Sequence, residues 1–277
     1  FWGLRGGGGN FGVVTGIDYN LYPGGPEIVG GLVAWPAADA PKVLELYRTL
    51  AENAPPELTL VVMMRPAPPA PWLPKDWHGK LIVGILACYS GKPEEGEKIV
   101  APIKSFGNPI GDMLVRRPYA QMQSLLDATQ PKGRRYYWKS EYLSRIEPEL
   151  CAKIIEHADK IRSPHSVIVL FQIGGALNRL DQDYSPAGNR DARYVLNIPG
   201  SWEKAEEDKA NIEWVRETWN DIKEFSTGGT YINFLTEDEG PERTGAALGK
   251  ALQRLAEVKK RWDPENMFRT NRNIKPA

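Results

Sequence analysis

Five of the first nine residues are glycine, and they stand beside an arginine and an asparagine in Leu4-Arg5-Gly6-Gly7-Gly8-Gly9-Asn10-Phe11-Gly12. Glycines at this density let a backbone reach positive φ at little cost and approach a ligand or a neighbouring segment closely. Gly7, Gly9 and Gly12 satisfy G-x-G-x-x-G, but a dinucleotide fingerprint needs a strand immediately before it and a helix immediately after. Six residues stand before Gly7, and residues 13–21 (VVTGIDYNL) are β-branched and roughly alternating, which predicts a strand. A Walker loop fails as well, since no Gly-Lys-Ser/Thr follows. A ligand-facing loop and a plain glycine turn leading into a strand both remain open on this window.

Other reactive residue types are sparse. His78, His157 and His165 are far apart and follow no ligand spacing, so no metal site is expected. Cys88 and Cys151 are too few for a disulfide framework and read as inert buried thiols. Asp159, Ser163 and His165 crowd one helix-to-strand junction and do not suggest a triad. Residues 132–139 (KGRRYYWK) mix cations with aromatics, a combination that suits nucleic acid, a pocket wall or a solvated basic turn. Glu237-Asp238-Glu239 reads as a solvated acidic turn.

Lysine plus arginine equals aspartate plus glutamate at 35 each, so no basic face for nucleic acid or an anionic membrane is expected. The longest apolar run, residues 81–88, is too short to span a bilayer and reads as a core strand. An apolar stripe at Val43, Leu46, Tyr47, Leu50 and Ala51 predicts a helix opened by Pro41. Strands are predicted at 58–64, 79–89, 112–115, 166–173, 192–198 and 231–235. Helices are predicted at 93–101, 119–126, 148–160, 205–225 and 244–262. Five prolines between residues 66 and 74 force an extended loop carrying Trp72. The alternation predicts an α+β fold, with helices covering an antiparallel sheet.

The glycine leader, together with an aromatic pair before it and Tyr22-Pro23-Gly24-Gly25-Pro26 after it, resembles the end of the flavin domain in berberine-bridge-enzyme-like FAD-linked oxidoreductases of the vanillyl-alcohol-oxidase superfamily. Tyr231-Ile232-Asn233-Phe234, the run Trp262-Asp263-Pro264-Glu265-Asn266-Met267-Phe268 and Asn271-Arg272-Asn273-Ile274 resemble that family's C-terminal signature. Gly174-Gly175-Ala176 and residues 189–194 resemble its central stretch. The resemblance implies a substrate half of the enzyme with one edge of the flavin site. Residues 1–26 would belong to the FAD-binding domain, 27–235 to the substrate domain and 236–277 to a closing flavin-proximal segment. The expected partners are a small-molecule substrate and the N-terminal flavin half, with FAD in the full-length parent but not retained by this chain alone. Self-association through an exposed sheet edge is a further expectation, and no nucleic-acid or membrane partner is expected. A cofactor-free binding module and a non-redox enzyme are the alternatives, since fold does not fix function.

Flavin oxidation needs a donor C–H held against N5 and a group that takes or stabilises the accompanying proton. By resemblance, Tyr231 and Asn197 are the catalytic candidates. Alternation puts Val195 and Asn197 on one face of their strand, and the same rule would pair Tyr231 with Asn233. Asparagine orients a hydroxyl but is no base near neutral pH. A tyrosine serves as proton acceptor where a positive field stabilises its phenolate. The cofactor candidates are Arg5, Gly7, Gly8, Gly9, Asn10, Phe11, Gly12, Asn233, Asn271 and Asn273. Tyr136, Trp138, Arg190 and Val195 are the expected substrate contacts.

Overall fold

The computed structural model describes residues 1–22, 24–269 and 272–277. Among them, eight strands form one antiparallel sheet in the order β4-β1-β3-β2-β7-β8-β6, with β5 pairing beside β4 on β1. The strands are β1 (Glu27–Pro36), β2 (Leu58–Pro66), β3 (Leu81–Tyr89), β4 (Gly111–Asp112), β5 (Val115–Pro118), β6 (Arg135–Leu143), β7 (Ile168–Gln172) and β8 (Tyr194–Trp202). Period-two alternation sends Val83, Ile85, Leu196 and Ile198 into one apolar core under the helices. Their neighbours Leu86, Val169 and Val195 point to the opposite face.

The helices that cover the first face are α1 (Ala40–Glu52), α2 (Pro93–Lys104), α4 (Pro148–Asp159) and α6 (Asp208–Ile222). Proline at the first or second position of α1, α2 and α4 costs no hydrogen bond, because those N–H groups have no partner within the helix. On α1 the predicted stripe is buried at Val43, Tyr47 and Ala51 and half-buried at Leu46 and Leu50. Each large apolar side chain buried this way contributes roughly 1.5–3 kcal/mol. On α6, Val215 and Ile222 are buried, and Trp219 packs half-buried beside them. The α+β sheet-and-helix class read from the sequence is the observed one.

Four predicted elements differ, among them the strand at 112–115, which is the two short strands β4 and β5 with residues 113–114 in neither. Residues 13–21 form no regular element and pair with no strand among the described residues, and Val13, Val14, Ile17, Tyr19 and Leu21 are all exposed. The predicted strand at 231–235 is a 3-10 turn over Ile232–Phe234, so Tyr231 and Asn233 do not share a strand face. The predicted helix at 244–262 is two helices, α7 (Pro241–Leu248) and α8 (Ala251–Trp262), broken at Gly249 with φ +52°. The remaining short helices are α3 (Tyr119–Gln123) and α5 (Ala176–Arg179).

A separate apolar cluster joins Trp2 and Phe11 of the leader to Leu248 of α7, Leu255 of α8 and Ile274. The leader and the C-terminal segment therefore pack on each other beside the uncovered sheet face. Among the described residues no helix is long and apolar enough to cross a membrane.

Candidate active site

A cleft of about 790 Å³ opens beside the uncovered face of the sheet. Its walls are the leader at Leu4–Gly8 and Asn10, the loop at 186–189 with the end of α7, and the turn at Tyr231–Asn233 with Arg272. Tyr142, near the end of β6, closes it from the sheet side.

The sheet positions Tyr142 and the turn positions Tyr231. Tyr142 exchanges backbone hydrogen bonds with the 227–229 segment, donating to Gly229 O at 2.9 Å and accepting from Thr227 N at 2.9 Å. Ser140, on the same face of β6, shares a 2.6 Å hydroxyl hydrogen bond with Thr230. These bonds bring Tyr231 to the cleft, where its ring stands edge-on to Phe234 at 5.1 Å between centroids. The Asn233 amide donates to the Tyr231 hydroxyl at 2.7 Å. The two residues expected to share a strand face thus meet through a side-chain bond across a tight turn. Burial, with a further push from nearby Tyr231, raises Tyr142 to about 12, so its hydroxyl remains a neutral donor. Sequence reasoning missed Tyr142; its one signal was alternation along residues 135–143, which puts it on the face of Ser140.

Asn197 and Val195 do share the uncovered face of β8. Val195 packs with Tyr142, and Asn197 stands opposite Ser140 in the register. Asn197 is buried and its side-chain oxygen has no protein partner, but it lies outside the cleft lining. Tyr136 and Trp138 alternate onto the same face. The Tyr136 hydroxyl is committed to Pro131 O at 2.6 Å, whereas the Trp138 indole N–H is buried without a partner.

Several predicted contacts are spent on the fold instead. The Asn10 amide donates to Gly7 O at 2.8 Å and Arg272 O at 3.0 Å, and its oxygen accepts from Ile274 N at 2.9 Å, so its side chain braces the cleft wall. Phe11 sits in the apolar cluster with Leu255, and Gly9 and Gly12 lie outside the cleft lining. Gly7 is glycine for packing, since a Cβ there would stand 2.5 Å from Gly3 O. Gly8 differs: its φ is +63° and nothing lies within 4 Å of a Cβ position. Arg5 lines the cleft while donating to Tyr184 O at 2.9 Å. Arg190 is buried, donating to Leu177 O at 3.1 Å and Ser185 Oγ at 2.6 Å, so it braces the loop and is not a free substrate contact. Asn273 keeps a buried side-chain oxygen without a partner, and Asn271 lies outside the described residues. Arg272 between them, quoted in the C-terminal motif but not named as a site residue, reaches the cleft and donates to Leu235 O.

The acidic turn is not simply solvated. Glu239 is buried and pairs with Arg243 at 2.9 Å, and Asp238 pairs with Arg216 at 3.0 Å and Lys139 at 3.3 Å. Burial alone would raise Asp238, but bonds from Thr236, Tyr137 and Arg216 outweigh it and hold the carboxyl well below its usual range. Arg243 also reaches buried Glu141 at 2.8 Å and Ser140 O at 2.9 Å, tying this network to the strand that carries Tyr142. Both cysteines are free, and burial pushes Cys151 up to about 11. Among the described residues no three His, Cys, Asp or Glu side chains are placed to hold a metal.

Comparison with known proteins agrees with this arrangement of leader, sheet and closing segment. Residues 230–275, which supply Tyr231, Asn233 and Arg272, match the family described as berberine and berberine-like. This C-terminal part of the chain is similar to that family. An FAD-linked oxidoreductase from Dictyostelium discoideum is 26% identical over 280 residues, covering 99% of this chain. (R)-6-hydroxynicotine oxidase from Paenarthrobacter nicotinovorans is 27% identical over 293 residues, covering all of it. The chain spans 58% and 60% of the length of these two relatives. Berberine bridge enzyme from Eschscholzia californica superimposes with a TM-score of 0.81 at 16% identity, over 100% of this chain and 61% of that one. The chain therefore shares the fold of that enzyme, and its sequence relatives include FAD-linked oxidoreductases.

Proposed function

We propose that this chain forms the substrate side of an FAD-dependent oxidoreductase that oxidises an alcohol, amine or sugar carbon by hydride transfer to flavin N5, with O2 as the electron acceptor. The observation that carries the reading is the cleft in which Tyr231, Asn233, Tyr142 and the glycine leader converge. The residues fit a flavin: Gly8, in the cleft wall, leaves open space where a side chain would stand, and Asn273 keeps a buried oxygen that lacks a partner. Flavin, when bound, supplies the two-electron acceptor. Gly8, Asn233 and Asn273 would hold its polar edge, and Arg5 and Arg272 add positive charge to the cleft.

This chain's own residues would orient the substrate and handle its proton. Tyr231 is the proton acceptor, its hydroxyl held by the Asn233 amide. Tyr142, a neutral donor, orients the substrate heteroatom, and Asn197 accepts from a substrate hydroxyl or amine. Val195, Phe171 and Phe234 exclude water from the sheet side. The exposed apolar alternation at 13–21 is suited to pairing with a sheet, and the flavin-binding part of the enzyme is its proposed partner.

The test is FAD released on denaturing the natively purified full-length protein, followed by anaerobic reduction with a panel of alcohols, amines and sugars. Bound FAD that one class bleaches supports the reading. A folded full-length protein without flavin overturns it in favour of a cofactor-free module.

A further inference from the structure

The central motifs of the sequence, Gly174-Gly175-Ala176 and residues 189–194, are only partly used by the cleft described above. They converge on a second cleft of about 320 Å³, between the last turn of α1 and the loop that follows β7. That volume is at the lower end of what small-ligand sites occupy. Helix α5 separates the two clefts: Leu177 lines the first, and Asn178 and Arg179 line the second.

The second cleft is bipolar. Arg179 and Arg193 line it, and neither guanidinium joins an ion pair or donates a hydrogen bond among the described residues. Guanidinium forks bind carboxylate and phosphate through paired N–H donors. The C-terminal turn of α1 also lines it at Ala51 and Glu52, which adds a carboxylate, and a helix C-terminus favours positive charge. Asn178 adds a buried side-chain oxygen with no partner, while its amide is fixed by Ala192 O at 2.8 Å and Arg190 O at 2.5 Å. Two cations with one anion and one orphan acceptor select a ligand that carries both signs.

We propose that this second cleft binds a small zwitterion, its oxyanion against Arg179 and Arg193 and its ammonium against Glu52. A short chain of bonds ties the wall between the two clefts. Asn178 holds the Arg190 carbonyl, and the Arg190 guanidinium holds Leu177 O at 3.1 Å.

Isothermal titration of the chain with O-phosphoethanolamine, β-alanine and glycerol 3-phosphate tests the site without flavin. Saturable binding of O-phosphoethanolamine or β-alanine is expected, and whichever binds more tightly identifies the oxyanion as phosphate or carboxylate. Arg179→Ala with Arg193→Ala should weaken it about tenfold or more, as for lost hydrogen bonds to charged groups. O-phosphoethanolamine should exceed glycerol 3-phosphate by roughly threefold, the worth of a partly exposed ion pair, and Glu52→Gln should erase that preference. Both arginines are exposed, so the double variant should keep the wild-type melting temperature. Flat titrations, or equal binding by the double variant, overturn the site. Equal binding of the two phosphates, unchanged by Glu52→Gln, overturns the zwitterion assignment.

Discussion

The ammonium of Lys259, fully buried on α8, donates to the backbone carbonyl of Asn10 at 2.6 Å, across 249 residues of sequence. Its other two protons go to Asp263 Oδ2 at 2.5 Å and Phe268 O at 2.6 Å. One cation thus joins the leader, the last helix and the closing segment, and so fixes two walls of the candidate active site. Lys259→Met removes the donor from three buried acceptors and leaves a carboxylate without its cation. The melting temperature should fall on the order of 10 °C, and limited proteolysis should cut the leader near residue 12 first. An unchanged melting curve would show that the leader is held by its apolar contacts alone.

The same clamp predicts an acid limit. Burial works to raise Asp263, but the bonds from Lys259, Phe268 N–H and Met267 N–H prevail and hold it down at about 2. A carboxylate depressed in the folded state contributes stability that is present above its unfolded value near 4 and lost as pH falls toward 2. Between pH 4 and 2 the wild type should therefore lose stability more steeply than Asp263→Asn, as read from urea midpoints across that range. Parallel slopes would remove Asp263 from the account of acid lability.

Gly6 has φ +151°, and a Cβ there would lie 2.5 Å from Ala187 N. Gly6→Ala should therefore push the leader off the 186–189 loop and destabilise the chain, at a cost of about 1–3 kcal/mol for the strained backbone position. Gly8→Ala meets no neighbour and suffers the φ penalty alone. Chemical denaturation of the two variants should rank Gly6→Ala as the more damaging.

In the FAD-loaded full-length enzyme, Tyr231→Phe and Asn197→Ala should each slow flavin reduction by about ten-squared to ten-fourth, the usual cost of a positioned acid/base or hydrogen-bonding group. Tyr142→Phe should raise the substrate concentration needed for half-maximal reduction more than it lowers the limiting rate. Rapid-mixing absorbance at the flavin bands measures all three. If the first two variants stay within a few-fold of wild type, neither residue faces the reacting carbon.

Residues 1–277 expressed alone should purify colourless. The leader glycines run into a three-residue 3-10 turn and then a segment with no regular element, so no helix N-terminus is offered to a pyrophosphate. Flavin affinity should be micromolar or weaker, about 8 kcal/mol of binding free energy at most. Flavin absorbance that survives extensive dialysis would show that the cleft holds the ring unaided.

Periodicity fixed most of the sheet and helices in advance, because a strand such as β3 or a helix such as α1 writes its buried face into neighbouring residues. The Val195 and Asn197 pairing on one face followed from the same local rule. The leader at 13–21 shows the limit of that rule: alternation marks a segment that can pair, whereas pairing depends on a partner strand elsewhere. The turn at 231–234 shows another, since Tyr231 and Asn233 were named correctly as neighbours but joined by the wrong geometry. What only the tertiary structure decided was which polar groups were already spent. Asn10 and Lys259 look like free ligands in a string of letters, yet the side chain of each is committed to partners remote in sequence. Tyr142 and Arg272 show the reverse, ordinary in their local windows and brought to the cleft by contacts across the fold. Local pattern encodes which face a residue takes; hydrogen-bond partners are settled by long-range packing, which no local window contains.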